Sequence, residues 1–266
     1  MTKHKIIFFG NGPLADYSLE TLKNNDCDII FHAREKADLE EVKRLKSSDQ
    51  TGEIHGILAS FGVIIKQDVL DLFEPEGILN IHPSLLPKYR GPSPIETAIL
   101  NNDKEYGVSV MKLVAAMDAG PIYTQKSFSY ERPLKNDLYK ALATNATNWI
   151  IENLSSLPAP TTQDDSKATY TKKFDKSMSP LDPEHQTATE LDCKIRAFSG
   201  FPKSKYEFFN LDCTIISAHV ANPEEEKSNK TLSIKCYDGS TLIIDGIQPA
   251  GRKIMDAKSF LNGYAK

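Results

Sequence analysis

The stretch Asn80–Pro94, NIHPSLLPKYRGPSP, determines how the rest of this chain is organised. The strand-like run Gly77–Ile81 leads into it and places Asn80 and His82 two residues apart. Because residues i and i+2 of an extended chain point to the same face, the amide and the imidazole converge on one spot. The prolines that follow keep the chain extended and non-helical, which is poor for a core segment and suited to the wall of a binding cleft.

A second segment, AAMDAGPIY, puts Asp118 in a loop marked by glycine and proline. Asn80 and His82 can donate hydrogen bonds to a developing oxyanion, while the Asp118 carboxylate orients the imidazole and manages its proton. Taken alone, a His near a strand end is more often structural, and Asp-x-Gly is more often a turn. The prediction of acyl-transfer chemistry therefore depends on the two segments occurring together.

Composition narrows the class of protein. The 266 residues are 40% hydrophobic and 26% charged, which is typical of a soluble globular enzyme. The net charge of −4 gives no support to nucleic-acid binding by bulk charge, so any RNA contact must be local. We see no serine or cysteine with a convincing base and no metal ligand set, which argues against covalent and metal-assisted catalysis.

We expect a cytoplasmic protein without a membrane partner. No apolar run approaches transmembrane length, and the Lys3–Gly10 run is too short for a signal-peptide core with its cleavage site. Four cysteines without paired spacing are interpreted as free thiols in a reducing compartment.

Strand and helix patterns alternate through residues 1–157, which predicts one catalytic domain with a doubly wound, mostly parallel, Rossmann-like sheet. The chain starts as strand, tight turn and helix, but Gly10-Asn11-Gly12 lacks the third glycine of a dinucleotide-binding loop. Ligands of such sheets bind at the carboxyl ends of the strands, where Asn80 and His82 fall. We predict later strands at 27–32, 54–61, 77–81, 106–114 and 121–130, and helices at 36–45 (with a Glu40–Arg44 pair), 63–73, 94–101 and 136–154.

The composition changes at PAPTTQDD, so residues 158–180 are predicted to be a linker. Several short strands in residues 181–266 predict a small C-terminal β-barrel of the OB-like kind. Within it, Tyr237–Ser240 is a hairpin signal, and residues 222–229 form a charged loop.

NIHPSLLPKYRGPSPI followed by MDAGPIY resembles the signature of the formyltetrahydrofolate-dependent formyltransferases. The resemblance implies that a neutral primary amine attacks the formyl group of formyltetrahydrofolate, with Asn80, His82 and Asp118 as catalytic residues and no metal. It implies folate contacts from a small-aromatic-Gly turn and from the SLLP loop, namely Ser60, Phe61, Gly62, Ser84, Leu85, Leu86 and Pro87. The substrate contacts it suggests are Asn11, Arg34 and Arg90, although solvated charge explains Arg90 equally well and a turn explains Ser84 better.

ATYTKK, IRAFSGFP, LIIDGIQPAGRK and SFLNGY resemble, in that order, the C-terminal part of family members that act on tRNA. We therefore expect formyl transfer to initiator methionyl-tRNA, with an amino-sugar nucleotide as the alternative acceptor. A folate-binding relative without activity is disfavoured by the intact catalytic set, and a nucleotide-binding protein by the incomplete glycine loop.

The sequence departs from the tRNA-acting members in a short loop near Arg34 and in Pro183, where a tryptophan is usual. We therefore expect the linker and the C-terminal domain to supply most of the RNA contacts. The candidate basic residues are Lys167, Lys172, Lys173, Lys176, Arg196, Lys203, Lys205, Arg252 and Lys253, although nearby acidic residues nearly balance them.

Overall fold

A computed structural model describes residues 4–49, 51–225 and 231–265. It contains two compact units. The first comprises Met1–Ile95, Lys104–Glu131 and Asn136–Lys172, and the second comprises Glu96–Asp103, Arg132–Lys135 and Lys173–Lys266. Among the residues described, no helix has the length and apolar character needed to cross a membrane.

The first unit is built on a six-stranded sheet in the order β2-β1-β3-β4-β5-β6. Pairs β2–β1, β1–β3 and β3–β4 are parallel, whereas β4–β5 and β5–β6 are antiparallel. Together with the second unit described below, this confirms the predicted fold class. The strands are β1 Lys5–Phe9, β2 Asp28–Ala33, β3 Ile54–Leu58, β4 Ile78–His82, β5 Glu105–Lys112 and β6 Ile122–Ser129.

The apolar run in β1 is fully buried, as expected for a parallel strand covered on both faces. Pro13 begins the first helix, where its missing N–H costs no hydrogen bond. The turn between them needs glycine because a Cβ on Gly10 would lie 1.9 Å from the carbonyl oxygen of Ala59. Close packing of two backbones therefore explains this glycine without a bound nucleotide.

The helices described up to residue 153 are α1 Pro13–Asn24, α2 Leu39–Ser47, α3 Gln67–Leu70, α4 Pro94–Leu100 and α5 Lys135–Asn153, of which α4 lies mostly in the second unit. The long predicted helix is confirmed in α5, whose buried stripe includes Leu138, Leu142 and Ile150. The helix predicted at 63–73 is wrong in its first half, because Lys66 is still extended and the helix begins at Gln67. The predicted Glu40–Arg44 pair is also wrong: Arg44 bonds Glu41, and Lys43 bonds Glu40 and Asp68.

The second unit contains a five-stranded sheet in the order β11-β10-β8-β7, with β9 paired to β10, and every pair is antiparallel. Thr187 caps its helix α6 through a reciprocal bond with Glu190. The hairpin predicted at Tyr237–Ser240 joins β9 to β10 and is confirmed. The elements are α6 Ala188–Ala197, β7 Ser204–Phe208, β8 Leu211–Val220, β9 Ser233–Lys235, β10 Thr241–Pro249, β11 Met255–Asp256 and α7 Ala257–Tyr264.

Part of the predicted charged loop at 222–229 lies outside the described residues, since the description stops at Glu225 and resumes at Thr231. The predicted domain boundaries stay predictions. Residues 158–172 of the predicted linker belong to the first unit, where Thr161 pairs with Ile122 in a β-bridge and Tyr170 pairs with Arg90.

Candidate active site

The carboxyl ends of four neighbouring strands line one edge of the first sheet. Arg34 follows β2, Asn11 follows β1, Ser60 follows β3, and His82 ends β4. The Asn11 N–H donates to the Ser60 carbonyl (3.1 Å), and the Asn11 side-chain amide donates to the Arg34 carbonyl. The structure therefore brings three of the predicted contact residues into one hydrogen-bonded group.

The turn Ser60-Phe61-Gly62 is shaped by two residues with left-handed backbone, at φ 54° for Ser60 and 69° for Gly62. Both are exposed, whereas the Phe61 ring is buried edge-on against Phe9 with 5.6 Å between ring centroids. The exposed part of this turn is thus its backbone and the Ser60 hydroxyl, while the aromatic ring serves the core.

Asn80 and His82 are each only 5% exposed at the end of β4. Within the part of the chain that the structure describes, the Asn80 side-chain amide has no hydrogen-bond partner. The amide atoms are nevertheless not among the fully buried polar atoms that lack a partner, so they reach solvent and are open to a ligand.

The imidazole of His82 has one nitrogen committed and one free for chemistry. Its Nε2 lies 2.9 Å from the carbonyl oxygen of Tyr89, and only a protonated nitrogen can donate there. Nδ1 therefore faces Asp118, whose Oδ1 lies 3.7 Å away. The hydrogen bond fixes which nitrogen exchanges protons with a substrate.

Asp118 occupies a turn with φ 48° and a side chain 16% exposed. Its Oδ2 accepts a hydrogen bond of 2.7 Å from the Gly91 N–H, and its main-chain carbonyl accepts one of 2.8 Å from Gln163. The second carboxylate oxygen is thereby left turned toward His82. Asn80 lies two residues before His82 on β4, so its side chain projects from the same face of that strand. This arrangement suits proton transfer beside an oxyanion.

Two polar side chains of neighbouring strands form hydrogen bonds with the backbone of the SLLP loop. Ser109 of β5 donates to the Ser84 carbonyl (2.6 Å) and accepts from the Leu86 N–H (3.1 Å). Gln125 of β6 donates to the Leu86 carbonyl (2.8 Å) and to Ser109 (2.9 Å). Leu85 packs over Gly107, where a Cβ would approach its side chain to 2.4 Å, and Pro87 remains half-buried.

This packing bears on two predicted contacts. The Ser84 hydroxyl is buried and donates to the Lys88 carbonyl at 2.6 Å, so it stabilises the turn, and its folate contact stays a prediction. The Arg90 guanidinium is nearly fully buried and bonds Gln163 and Asp165, which leaves it unsuited to meeting a substrate phosphate. The loop is also more buried than its prolines indicated, because Leu86 and Tyr89 join the core.

Sequence patterns missed the supporting residues Ser109, Gln125, Gln163 and Thr169. Only Ser109 carries a usable signal, since it interrupts the apolar strand GVSVM with a buried hydroxyl. Among the described residues, no cluster of His, Cys, Asp and Glu could hold a metal ion. None of the four cysteines forms a disulfide bond.

Comparison with known proteins gives matches along the chain. The family model Formyl transferase matches residues 15–154, and the model Formyl transferase, C-terminal domain matches residues 173–265. The methionyl-tRNA formyltransferase of Borrelia hermsii is 37% identical over 225 residues, covering 78% of this chain and 71% of the relative.

Solved structures resemble the fold at low identity. HypX from Aquifex aeolicus in complex with tetrahydrofolic acid superimposes with a TM-score of 0.74 at 16% identity, over 99% of this chain and 47% of HypX. The chain thus spans about half the length of HypX. The N-formyltransferase from Helicobacter canadensis, in complex with folinic acid and dTDP-3-aminofucose, gives 0.66 at 21% identity, over 93% of this chain and 100% of that one.

Proposed function

The chain belongs to the formyl transferase family, and we propose that it transfers a formyl group from formyltetrahydrofolate to the amino group of initiator methionyl-tRNA. The observation that carries the proposal is the approach of the Asp118 carboxylate to Nδ1 of His82, on the strand face from which the Asn80 amide also projects. The tRNA acceptor is favoured by the 37% identity to a methionyl-tRNA formyltransferase. The sugar enzyme shares the fold at 21% identity.

The reaction begins when the neutral amine attacks the formyl carbon and the carbonyl electron pair moves onto oxygen. The Asn80 amide donates to this oxyanion, and one such donor contributes roughly 3–4 kcal/mol to lowering the barrier. Because the Nε2–H of His82 donates to the Tyr89 carbonyl, the imidazole faces the reacting groups with Nδ1. Asp118 accepts the proton that the attacking nitrogen loses and passes it on, through water, to the folate nitrogen. As that nitrogen takes up the proton, its bond to the formyl carbon breaks and the electron pair of the oxyanion re-forms the carbonyl of the new amide.

The folate co-substrate is placed at the exposed Ser60–Gly62 turn and along Leu85–Pro87. An observation in favour is apolar surface beside these elements: Ile64 is 85% exposed and Met117 is 63% exposed, next to the folate turn and to Asp118. These side chains suit a planar ring and need no metal.

For the tRNA, the exposed lysines and arginines of the predicted linker and of the predicted C-terminal domain are proposed as phosphate contacts, with one correction. Arg196 is 6% exposed and bonds Asp192, so it is removed from the candidates. Binding through the remaining charges falls steeply with salt. Because the acceptor is a translation substrate, we propose that the protein acts in the cytoplasm.

The decisive experiment supplies formyltetrahydrofolate with either methionyl-initiator tRNA or an amino-sugar nucleotide, and follows formyl incorporation. Formylation of the tRNA and not the sugar is expected. The matched control is the His82→Ala protein, which is expected to retain its fold and lose turnover. Formylation of the sugar alone would overturn the tRNA assignment while keeping the chemistry.

A further inference from the structure

The segment 161–171 follows helix α5 and lies against the loops that carry the catalytic groups. We call it the strap. At its start, Thr161 exchanges two backbone hydrogen bonds of 2.8 Å with Ile122, just beyond the Asp118 loop. At its end, the N–H of Thr171 donates to the Arg90 carbonyl (2.8 Å), and the Arg90 N–H donates to the Thr169 carbonyl (2.8 Å). The strap is therefore bonded to both catalytic loops of the first unit.

Gln163 is the polar centre of the strap and is 9% exposed. Its Nε2 donates to the carbonyls of Asp118 (2.8 Å) and Gly120 (2.7 Å), while its Oε1 accepts from Nε (3.1 Å) and a terminal nitrogen (2.7 Å) of Arg90. Both amide hydrogens and both lone pairs are used. A flipped amide would set oxygen against two carbonyls and NH₂ against a guanidinium, so only one orientation is allowed.

Thr169 holds the other catalytic loop. Its Oγ1 accepts from the Tyr89 N–H at 2.8 Å, and the Tyr89 carbonyl in turn accepts from Nε2 of His82. The next N–H but one, that of Gly91, donates to the Asp118 carboxylate. The strap is thus connected to His82 through the backbone of one residue, Tyr89, and to Asp118 through the main-chain carbonyl of Asp118.

We propose that the strap positions His82 and Asp118 for formyl transfer, with Gln163 and Thr169 as its positioning residues. The inference rests on the proposed function for its reaction. Neither side chain contacts a reacting atom. Each acts by fixing the separation of the imidazole and the carboxylate, and a misplacement of about 1 Å in such a pair costs on the order of 100-fold in rate.

The main test is Gln163→Glu. The carboxylate keeps an acceptor for Arg90 but loses both donors, so the Asp118 loop is released while the arginine stays paired. We expect kcat to fall about 10- to 100-fold, with the KM for formyltetrahydrofolate unchanged within about twofold. The matched control in the strap is Asp164→Ala, because Asp164 bonds only Ser166 and Lys167, and its kcat is expected to stay within about twofold.

A second pair of variants covers the case in which Gln163→Glu fails to fold. Thr169→Val keeps the shape and removes the acceptor for Tyr89, and a fall of about 10-fold in kcat is expected; Thr169→Ser keeps the hydroxyl and should restore the rate. A kcat for both Gln163→Glu and Thr169→Val within twofold of the parent would overturn the proposal. So would a fall in Thr169→Val that Thr169→Ser does not reverse.

Assays of the unmodified parent protein with both acceptors separate a failure of the proposed function from a failure of the strap proposal. If it formylates an amino-sugar nucleotide and not the tRNA, the same variants are compared on the sugar. If it formylates neither, amide hydrogen exchange of peptides spanning 116–122 decides. Faster exchange in Gln163→Glu than in Asp164→Ala supports the strap, and equal exchange overturns it.

Discussion

Each unit buries an arginine, and the two arginines have different kinds of partner. Arg90 of the first unit is 2% exposed and pairs with the neutral Gln163 and with Asp165, whose side chain is 79% exposed. Arg196 of the second unit is 6% exposed and bonds Asp192, which is itself 2% exposed. Arg196 and Asp192 thus form a buried ion pair, whereas Arg90 shares its hydrogen bonds between a neutral amide and an exposed carboxylate.

The further hydrogen-bond partners of the two arginines also differ. Arg132, whose side chain is half exposed, places two hydrogen bonds on Asp192 and one on the Ala218 carbonyl, and Arg196 donates to the Pro133 carbonyl. The second network therefore stays within its own unit. In the first unit the network continues to the Asp118 backbone, in the same domain as the partnerless Asn80 amide. We infer that buried polarity stabilises the fold in the second unit and sets reaction geometry in the first.

The largest effect is expected from breaking the network of the second unit. Asp192→Ala leaves Arg196 buried without its carboxylate, and removing one partner of a buried pair costs about 3–5 kcal/mol in the free energy of unfolding. Urea unfolding measures the loss. The control Glu207→Ala removes an exposed carboxylate from the same unit and is expected to stay within about 0.5 kcal/mol of the parent. A loss below about 1 kcal/mol for Asp192→Ala would contradict the stabilising role.

At Asn80 we expect the opposite result, a lower reaction rate without a loss of stability. Asn80→Ala removes an oxyanion donor, which lowers kcat by about 100- to 1,000-fold, equivalent to roughly 2.7–4 kcal/mol of barrier. Because the amide has no partner within the described residues, its removal costs no internal hydrogen bond, and the thermal midpoint should be unchanged or raised. Single-turnover formylation and thermal unfolding test both halves. A midpoint lowered together with the rate would show that Asn80 is structural.

A smaller effect is expected under the SLLP loop. Ser109→Ala removes the acceptor of the Leu86 N–H and the donor to the Ser84 carbonyl. A buried group left unsatisfied costs about 1–3 kcal/mol, so the unfolding free energy should fall by that amount. The loosened loop should also raise the KM for formyltetrahydrofolate several-fold with little change in kcat. An unchanged KM would remove this loop from the proposed folate contacts.

The difference between the units also explains what the sequence could predict. Periodicity and turn residues located β4, α5 and the hairpin at Tyr237–Ser240, because those signals lie within a few residues of each other. The spacing of Asn80 and His82 is equally local. Arg90 was misassigned because its partner Gln163 lies 73 residues away, and no pattern in the sequence near Arg90 indicates that the two side chains pair. Arg196 was misassigned although its partner Asp192 lies only four residues before it, because such a pair is equally common on an exposed helix face. The Pro133 carbonyl, which also accepts from Arg196, lies 63 residues earlier.

The smallest expected effect depends on pH and concerns His219 of the second unit. Its Nδ1 lies 2.9 Å from Asp245 and its Nε2 lies 3.1 Å from Glu225, and the hydrogen bond with Asp245 raises the pKa of the imidazole above its usual value. A group whose pKa is higher in the folded state stabilises the protein fully below its unfolded pKa, about 6.5, and loses that contribution as the pH rises through the folded value. The side chain is 32% exposed, so solvent screening limits the contribution to about 1 kcal/mol or less.

We therefore expect the unfolding free energy of the parent to fall more between about pH 6 and pH 9 than that of His219→Gln, whose amide does not titrate. Calorimetry of both proteins at matched salt measures this difference. Added salt should shrink it, because exposed charges are screened. Parallel pH curves for the two proteins would show that the three charged side chains contribute nothing to stability. The stabilising polarity of the second unit would then reside in its buried arginine network alone.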